Sequence, residues 1–116
     1  EGEVVSVTHR GGAFLDVRDP RASERNESTA IRLRHRHGGR EHPVVVRQIA
    51  GLVARRIVTD LAAGQTLRRS QRIGMIKFGS RLELLLPESL AAEVRVSVGQ
   101  KVRAGRTVLA EVGRGL

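Results

Sequence analysis

Cysteine, tryptophan and tyrosine are absent from this 116-residue sequence, and Phe14 and Phe78 are its only two phenylalanines. Without cysteine, the chain can form no disulfide and perform no thiolate chemistry. Proteins that bind single-stranded nucleic acid usually stack bases on several aromatic side chains, so this chain is poorly suited to that function. No apolar run is long enough to cross a bilayer, and no basic-then-apolar segment is typical of a signal peptide.

Acidic residues are also in the minority, since 12 Asp and Glu stand against 21 Lys and Arg and give a formal net charge of +9. This excess favours an anionic partner, and an anionic membrane surface explains it at least as well as nucleic acid does. A domain that binds only the phosphate backbone of a duplex stays open as an alternative. The length allows one modest domain with one core. Because the sequence starts with Glu1 rather than Met, we expect a fragment or a processed piece of a longer protein.

The histidines raise the question of a metal site, and there are four of them: His9, His35, His37 and His42. His35 and His37 are two residues apart, so a strand would place both imidazoles on one face. No cysteine or evident carboxylate completes a set of ligands. We therefore expect solvated histidines at strand edges and no bound metal.

Alternation of apolar and polar residues predicts an all-β chain. Residues 2–9 form a predicted strand. Residues 29–37 and 43–50 form two more, and Gly38-Gly39 turns the chain between them, so this pair is a predicted hairpin.

Two other segments are less regular. Residues 19–28 are polar and rich in turn formers, which predicts a loop with one helical turn after Pro20. The composition of residues 49–63 would permit a helix, but Gly51 interrupts them and residues 55–59 favour an extended chain. We predict a strand there.

The second half of the chain contains a repeat. Residues 64–73 can be laid over residues 99–108 at a constant offset of 35, with Gly-Gln at the start of each copy. Apolar residues match at Leu67/Val102 and Ile73/Val108. Neither copy could bury its apolar side alone, so we predict that the two pack face to face as a flattened barrel or sandwich.

The repeat is similar to the half-motifs of biotinyl and lipoyl carrier domains, which present a modifiable lysine between the halves. The candidate here is Lys77, but it lacks the Met-Lys-Met or Asp-Lys-Ala context of those carriers. A non-catalytic carrier or assembly module is therefore the weaker alternative.

Between the two copies, an apolar run ends on Gly79-Ser80 and resumes at Leu82. Gly79 allows backbone conformations that are closed to other residues, and Ser80 places a hydroxyl beside the preceding carbonyl. A strained Gly-Ser bond can cleave itself when the serine oxygen attacks that carbonyl, an ester forms, and elimination followed by hydrolysis leaves a pyruvoyl group. A hairpin turn is the ordinary interpretation of Gly-Ser alone, and the sequence on both sides changes it.

Three segments around and including this bond carry further motifs: Val46-Arg47-Gln48-Ile49-Ala50-Gly51-Leu52-Val53-Ala54-Arg55-Arg56-Ile57-Val58, then Gly74-Met75-Ile76-Lys77-Phe78-Gly79-Ser80-Arg81, then Val98-Gly99-Gln100-Lys101-Val102-x-Ala104-Gly105. Together they closely resemble the phosphatidylserine decarboxylase family, in its short bacterial and archaeal branch. One further segment, Ala22-Ser23-Glu24-Arg25-Asn26-Glu27, is similar to the Ala-Ser-Glu-x-Asn-Glu-Arg segment of that family. The resemblance covers essentially the whole chain.

The resemblance implies self-cleavage between Gly79 and Ser80. Residues 1–79 would then be the end of a β chain, and residues 80–116 would be the α chain. Ser80 would become a pyruvoyl group that forms a Schiff base with the amine of phosphatidylserine and takes up the electrons as CO₂ leaves, giving phosphatidylethanolamine. Neither pyridoxal phosphate nor a metal is needed.

The resemblance also implies where the protein works: on an anionic phospholipid, as a peripheral protein at the cytoplasmic face of the cell membrane, without nucleic acid. Diacyl and archaeal ether lipids share the serine head group, so both stay open as substrates. Exposed strand edges lead us to expect pairing with a second copy. Six arginines are candidates for substrate or membrane contact, although a purely solvated role is as reasonable for any one of them: Arg55, Arg56, Arg68, Arg69, Arg72 and Arg81.

The sequence departs from the family pattern in a few places. The aspartate and histidine that assist self-cleavage in the family belong to segments upstream of the region where this sequence begins, so we give that role to no histidine here. Ser28 stands where the family usually has arginine, and Ser70 where the second turn usually has glycine. Neither change touches Phe78-Gly79-Ser80-Arg81.

Overall fold

The computed structural model describes residues 2–51, 59–69, 71–74, 80–103 and 106–112. Within these ranges the regular secondary structure is almost entirely β-strand, which confirms the predicted fold class. Helical geometry is limited there to one turn, α1 (Ala22–Arg25), and a 3-10 segment (Glu88–Leu90). Neither element has the length and apolar character that a helix needs to cross a bilayer.

The described residues form seven strands in two antiparallel sheets. Five strands make one curled sheet, half of a barrel, in the order β4-β1-β2-β3-β5, and β6 pairs with β7 in a separate small sheet. Their bounds are β1 Gly2–Arg10, β2 Ser28–His37, β3 Arg40–Ile49, β4 Thr66–Leu67, β5 Arg81–Leu85, β6 Glu93–Val94 and β7 Ala110–Glu111.

The predicted hairpin is formed by β2 and β3, which pair without interruption from His37↔Arg40 to Ser28↔Ile49. Gly38 and Gly39 have φ of 61° and 75°, so both turn residues are in the left-handed region that glycine adopts without strain. A two-residue turn of this kind matches the twist of the strands it joins. The predicted strand 2–9 and the predicted helical turn after Pro20 are likewise confirmed, as β1 and α1.

The prediction of a strand over residues 49–63 is wrong for its C-terminal part. Residues 52–58, in its middle, lie outside the described residues, so that part stays a prediction. Residues 59–63 form no strand. The Thr59 hydroxyl donates to the Ile73 carbonyl at 2.6 Å and accepts from the Leu61 amide at 3.3 Å. Such local side-chain bonds offer the backbone an alternative to a strand ladder.

The main core lies on one face of the five-stranded sheet. Val4, Ile31, Val46, Leu61 and Leu67 are buried together there, and Ile31 and Val46 are direct partners across β2 and β3. Full burial of side chains of this size stabilises the fold by about 1.5–3 kcal/mol each. Since side chains alternate along a strand, the neighbours of Val46 point to the opposite face.

The repeat is confirmed at its first turn. Gly64 and Gly99 have φ of 89° and 87°. In the first copy the Gln65 amide donates to the Ala62 carbonyl at 3.2 Å, and in the second the Gln100 amide donates to the Ser97 carbonyl at 3.1 Å. Each glutamine side chain accepts a bond from the amide three residues before it.

The two copies differ in what surrounds them. The first contributes β4, which pairs with β1, whereas β7 follows the second copy and pairs with β6. Val102 and Val108 of the second copy are both 53% exposed, while Leu67 is 6% exposed. Direct packing of one copy on the other stays a prediction.

Candidate active site around Ser80

Ser80 is half-buried and lies immediately before β5. The first residue of β5, Arg81, pairs with Ile49, the last residue of β3. The ladder ends at this pair, so Ser80 and the fully buried Ala50 are the residues next to it on the two segments. Gly79, the other half of the predicted scissile bond, lies outside the described residues. Ser80 is thus positioned by the end of β3.

The end of β3 is fixed by the fully buried side chain of Asn26. Its amide nitrogen donates to the Ala50 carbonyl at 2.7 Å and to the Leu15 carbonyl at 2.8 Å, and its oxygen accepts from the Leu15 amide at 2.9 Å. The Ala50 amide donates to the Glu27 carbonyl at 2.9 Å. One side chain therefore ties the loop before α1 to the strand end beside Ser80.

Arg81 connects the start of β5 to the segment around α1. Its Nη1 donates to the Ser23 hydroxyl at 2.6 Å, and its Nη2 donates to the Val17 carbonyl. The Ser23 hydroxyl in turn donates to Glu83 Oε2 at 2.7 Å. Arg81 and Glu83 are two residues apart on β5, so both point to the face that carries α1.

Arg47 completes this cluster from the neighbouring strand. Arg47 and Glu83 are direct partners across β3 and β5, and Arg47 Nη1 lies 2.8 Å from Glu83 Oε1. Arg47 Nη2 also donates to the Ser23 carbonyl at 2.6 Å. The two side chains are 22% and 26% exposed, so water screens the pair less than it would on the open surface. We call the set Arg81, Ser23, Glu83 and Arg47 the Ser23–Glu83 network.

An open groove of about 380 Å³ lies on the same face of the sheet, beside α1. Arg10, Arg32 and Arg47 line it together with Val45, and Glu24 supplies the one carboxylate among its lining residues. A groove with more guanidinium than carboxylate groups favours an anionic ligand. Its aliphatic wall also gives it some apolar surface.

The structure brings together only part of the predicted site. Arg81 belongs to the Ser23–Glu83 network, and Ser80 directly precedes it in the chain. Gly79, Arg55 and Arg56 lie outside the described residues, as does Lys77, so their predicted roles stay predictions. The other basic candidates, Arg68, Arg69 and Arg72, are exposed.

Ser23, Glu83 and Asn26 are site residues that sequence reasoning missed. Ser23 and Asn26 belong to the motif of residues 22–27, but the sequence of that motif does not predict which distant atoms they contact. Ser23 and Glu83 are 60 residues apart in the chain, and only the pairing of β3 with β5 brings them together. The opposite charges of Arg47 and Glu83 could have indicated an ion pair, but only the register of β3 and β5 shows that the two residues are direct partners.

The prediction that the histidines are solvated is wrong for His42, which is 5% exposed. His42 lies two residues before Val44 and four before Val46, so strand alternation turns it to the core face. Its Nε2 lies 3.1 Å from the His37 carbonyl and its Nδ1 lies 2.8 Å from the Ser89 hydroxyl. Since a carbonyl only accepts, Nε2 carries a proton, and in the neutral ring Nδ1 accepts from Ser89.

The other histidines vary in exposure. The side chain of His9 is 56% exposed, as predicted, and its Nε2 lies 3.5 Å from Glu27 Oε1. His35 and His37 are half-buried, with their rings stacked at a centroid distance of 6.3 Å. The described part of the chain holds no group of three or more His, Asp or Glu side chains arranged to bind a metal ion.

Comparison with known families gives one match over nearly the whole chain. Residues 1–110 match the sequence model of the family described as "Phosphatidylserine decarboxylase". No solved structure matches the chain significantly.

Curated relatives carry the same description. Over 110 residues the chain is 50% identical to a protein of Mycobacterium tuberculosis (strain ATCC 25618 / H37Rv) named "Phosphatidylserine decarboxylase proenzyme", with 95% of this chain and 46% of the relative covered. Proteins of the same name from Paramagnetospirillum magneticum and Aromatoleum aromaticum are 47% and 45% identical over 112 residues, covering 97% of this chain and 45% and 50% of the relatives. The chain spans about half the length of the curated relatives it matches.

Proposed function

The chain belongs to the phosphatidylserine decarboxylase family, and we propose that its full-length protein cleaves itself at Gly79-Ser80 and then decarboxylates phosphatidylserine. The observation that carries this proposal is the position of Ser80. The residue is half-buried, lies directly before β5, and is followed by Arg81, whose side chain is held by Val17 and Ser23. A serine at such a point can be aligned with its own preceding carbonyl.

The self-cleavage requires no atoms beyond the chain and one water molecule. The Ser80 oxygen attacks the Gly79 carbonyl carbon, the peptide C–N bond breaks as an ester forms, and the nitrogen of residue 80 becomes a free amine. Loss of the Cα proton of residue 80 then expels the Gly79 carboxylate and leaves a dehydroalanine. Addition of water and release of ammonia convert this residue to a pyruvoyl group.

The surroundings of Ser80 are suitable for such a group. The pyruvoyl ketone supplies an electron sink for the loss of CO₂ from an amine-bearing carboxylate. Asn26 holds the Ala50 end of β3, and Arg81 holds the start of β5, so residue 80 lies between two anchored points. Positioning of this kind is a large part of how enzymes accelerate such steps.

The charge of the chain supports an anionic phospholipid as substrate and a peripheral position at the cytoplasmic face of the cell membrane. The net charge is +9, and the groove beside α1 carries Arg10, Arg32 and Arg47. Juxtaposed basic side chains are attracted to anionic lipid surfaces. The substrate serine head group would bring its phosphate and carboxylate to the same region, with diacyl and ether lipids equally acceptable.

The proposal also includes the partners of the reaction. The segments 1–79 and 80–116 would stay together as β and α chains, since β5 pairs with β3 across the cut. Pairing with a second copy is a further expectation, because β5 ends the sheet order among the described strands and so leaves an edge open to a neighbour.

The test compares the full-length wild type with Ser80→Ala and with Ser97→Ala, which removes an exposed hydroxyl, as a matched control. The wild type and Ser97→Ala should run as two fragments on a denaturing gel, with a blocked N-terminus on the piece that begins at residue 80. Hydroxylamine should trap one carbonyl per chain, and CO₂ should be released from phosphatidylserine. Ser80→Ala should stay intact and inactive. An intact wild type without a trappable carbonyl would refute the proposal, and a covalent adduct on Lys77 would favour the carrier alternative.

A further inference from the structure

We propose that the Ser23–Glu83 network is a latch that keeps the start of residues 80–116 in place after the chain is cut. On this view Glu83 is a positioning residue for decarboxylation and is dispensable for the cut itself. The inference rests on the proposed function, because it concerns the state of the protein after Gly79 and Ser80 have separated.

The four bonds that Arg81 and Glu83 make join the two sides of the cut, while the bond from Arg47 to the Ser23 carbonyl lies wholly before the cut. Arg81 and Glu83 lie after it, whereas Val17, Ser23 and Arg47 lie before it. Cleavage removes the covalent link one residue before Arg81 but leaves each of these bonds available. The network can therefore hold the new chain end when the peptide no longer does.

The start of β5 needs such a hold because its apolar side chains contribute little packing. Leu82, Leu84 and Leu85 are 56%, 42% and 50% exposed. New chain ends fray unless something ties them down, and β5 is only five residues long. Among the described contacts, the side chains that tie down its first residues are Arg81 and Glu83.

Glu83 has the central place in the network. One of its carboxylate oxygens accepts from Ser23 and the other from Arg47. The first bond uses the Ser23 hydrogen, which leaves the hydroxyl oxygen free to accept from Arg81. The carboxylate also neutralises part of the charge of Arg47 and Arg81, which would otherwise repel each other.

Glutamine at position 83 removes this arrangement with almost no change in shape. In Glu83 the Ser23 hydroxyl and Arg47 bond to different carboxylate oxygens, and an amide places a donor nitrogen at one of these two positions, so it cannot reproduce both bonds. The Ser23 hydroxyl then loses its orientation, and the hold on Arg81 weakens. Misplacement of a reacting group by about 1 Å can cost about 100-fold in rate.

The experiment uses the full-length protein with Glu83→Gln, Ser23→Ala and, as a control for the loss of one exposed carboxylate, Glu88→Gln. Cleavage is followed on a gel, the carbonyl is counted with hydroxylamine, and kcat and KM are measured with phosphatidylserine in detergent micelles. Glu83→Gln and Ser23→Ala should cut completely and carry one carbonyl per chain. Their kcat should fall about 10- to 100-fold with KM changed less than about threefold, while Glu88→Gln matches the wild type.

A second measurement separates a latch from a merely structural role. Hydrogen exchange of the amides in residues 81–85 should accelerate in the cut Glu83→Gln protein and stay at the wild-type rate in its uncut Ser80→Ala counterpart. Glu83→Asp should recover part of kcat, because both oxygens remain acceptors. Normal kcat in both Glu83→Gln and Ser23→Ala would overturn the latch. A Glu83→Gln protein that fails to cut would also overturn it. Neither result would contradict the proposed function. A wild type that never cuts would overturn the proposed function and the latch with it.

Discussion

The side-chain amide of Asn26 donates to the main-chain carbonyl of Ala50, 24 residues away, at 2.7 Å. This bond is fully buried, and it lies between the segment around α1 and the strand end that borders Ser80. The Asn26 side chain therefore contributes both to the stability of the fold and to the position of Ser80.

The first prediction follows from this bond. Asn26→Ala should lower the free energy of unfolding by about 3 kcal/mol, because the Ala50 carbonyl and both main-chain groups of Leu15 lose a buried partner and each such loss costs about 1–3 kcal/mol. Urea unfolding of the full-length Ser80→Ala protein measures the change without interference from cleavage. Gln100→Ala is the control: its exposed side chain accepts a single bond, from the Ser97 amide, so the variant should lose only about 1 kcal/mol or less. Equal stability of the two variants would contradict the role of Asn26.

The second prediction concerns two adjacent glycines between β1 and α1. A Cβ built on Gly12 would overlap the Arg25 carbonyl oxygen and lie 2.9 Å from the Asn26 carbonyl carbon, whereas a Cβ on Gly11 would meet nothing within 4 Å. Gly12→Ala should therefore displace α1, which carries Ser23, destabilising the protein by about 1–3 kcal/mol and lowering kcat. Gly11→Ala should be neutral in both measurements. Equal effects at the two positions would show that α1 does not pack against Gly12 as described.

How much the sequence could predict depended on how local each feature is. The hairpin of β2 and β3 was predictable because alternation and Gly38-Gly39 act over neighbouring residues. The repeat was predictable because its turns depend on glycine and glutamine within a few positions. Ser80 was found by its motif, which needs no knowledge of the fold.

Features that depend on long-range register could not be predicted in the same way. Glu83 looks like an ordinary polar residue of an alternating strand until β5 is aligned with β3 and Arg47 lies opposite it. His42 is similar, because its burial follows from the face of β3 that turns to the core. Thr59 is a β-former, but its hydroxyl bonds to the Ile73 carbonyl, which only the tertiary structure brings near.

The third prediction is a pH dependence in the loop before α1. The Arg18 side chain, with help from the Arg18 amide, lowers the pKa of Asp16 to about 2 from 3.8, and Arg21 does the same for Asp19. A carboxyl whose pKa is depressed on folding stabilises the fold above its unfolded pKa and loses this effect as the pH falls through the folded value. The order of this loop should therefore decline between about pH 4 and pH 2.

Carboxyl NMR titration of the full-length Ser80→Ala protein checks this prediction. In Arg18→Ala, the pKa of Asp16 should rise toward 3.8 while that of Asp19 stays at about 2, because the two pairs are separate. The reverse result, or two unshifted carboxyls in the parent protein, would contradict the pairing of these side chains.

The last prediction tests whether exposed arginines attract the protein to lipid. Arg68 and Arg69 are exposed, and a basic side chain near an anionic surface contributes about 1 kcal/mol. Each substitution to alanine should then weaken binding to phosphatidylglycerol vesicles about fivefold at low salt, and high salt should reduce the difference. Phosphatidylglycerol lacks an amine, so turnover does not complicate sedimentation of the full-length protein.

Arg95 supplies the matched control for those two arginines. Its guanidinium lies 3.1 Å from Glu93 Oε1 and 3.1 Å from Glu111 Oε2, so two carboxylates compensate its charge locally. Arg95→Ala should therefore leave vesicle binding within about twofold of the parent, because a spot with two carboxylates beside one arginine is not attracted to an anionic surface. If Arg95→Ala weakens binding as much as Arg68→Ala does, net charge alone attracts the protein and residues 68–69 have no special place in docking. If neutral phosphatidylcholine vesicles bind equally well, the attraction is not electrostatic.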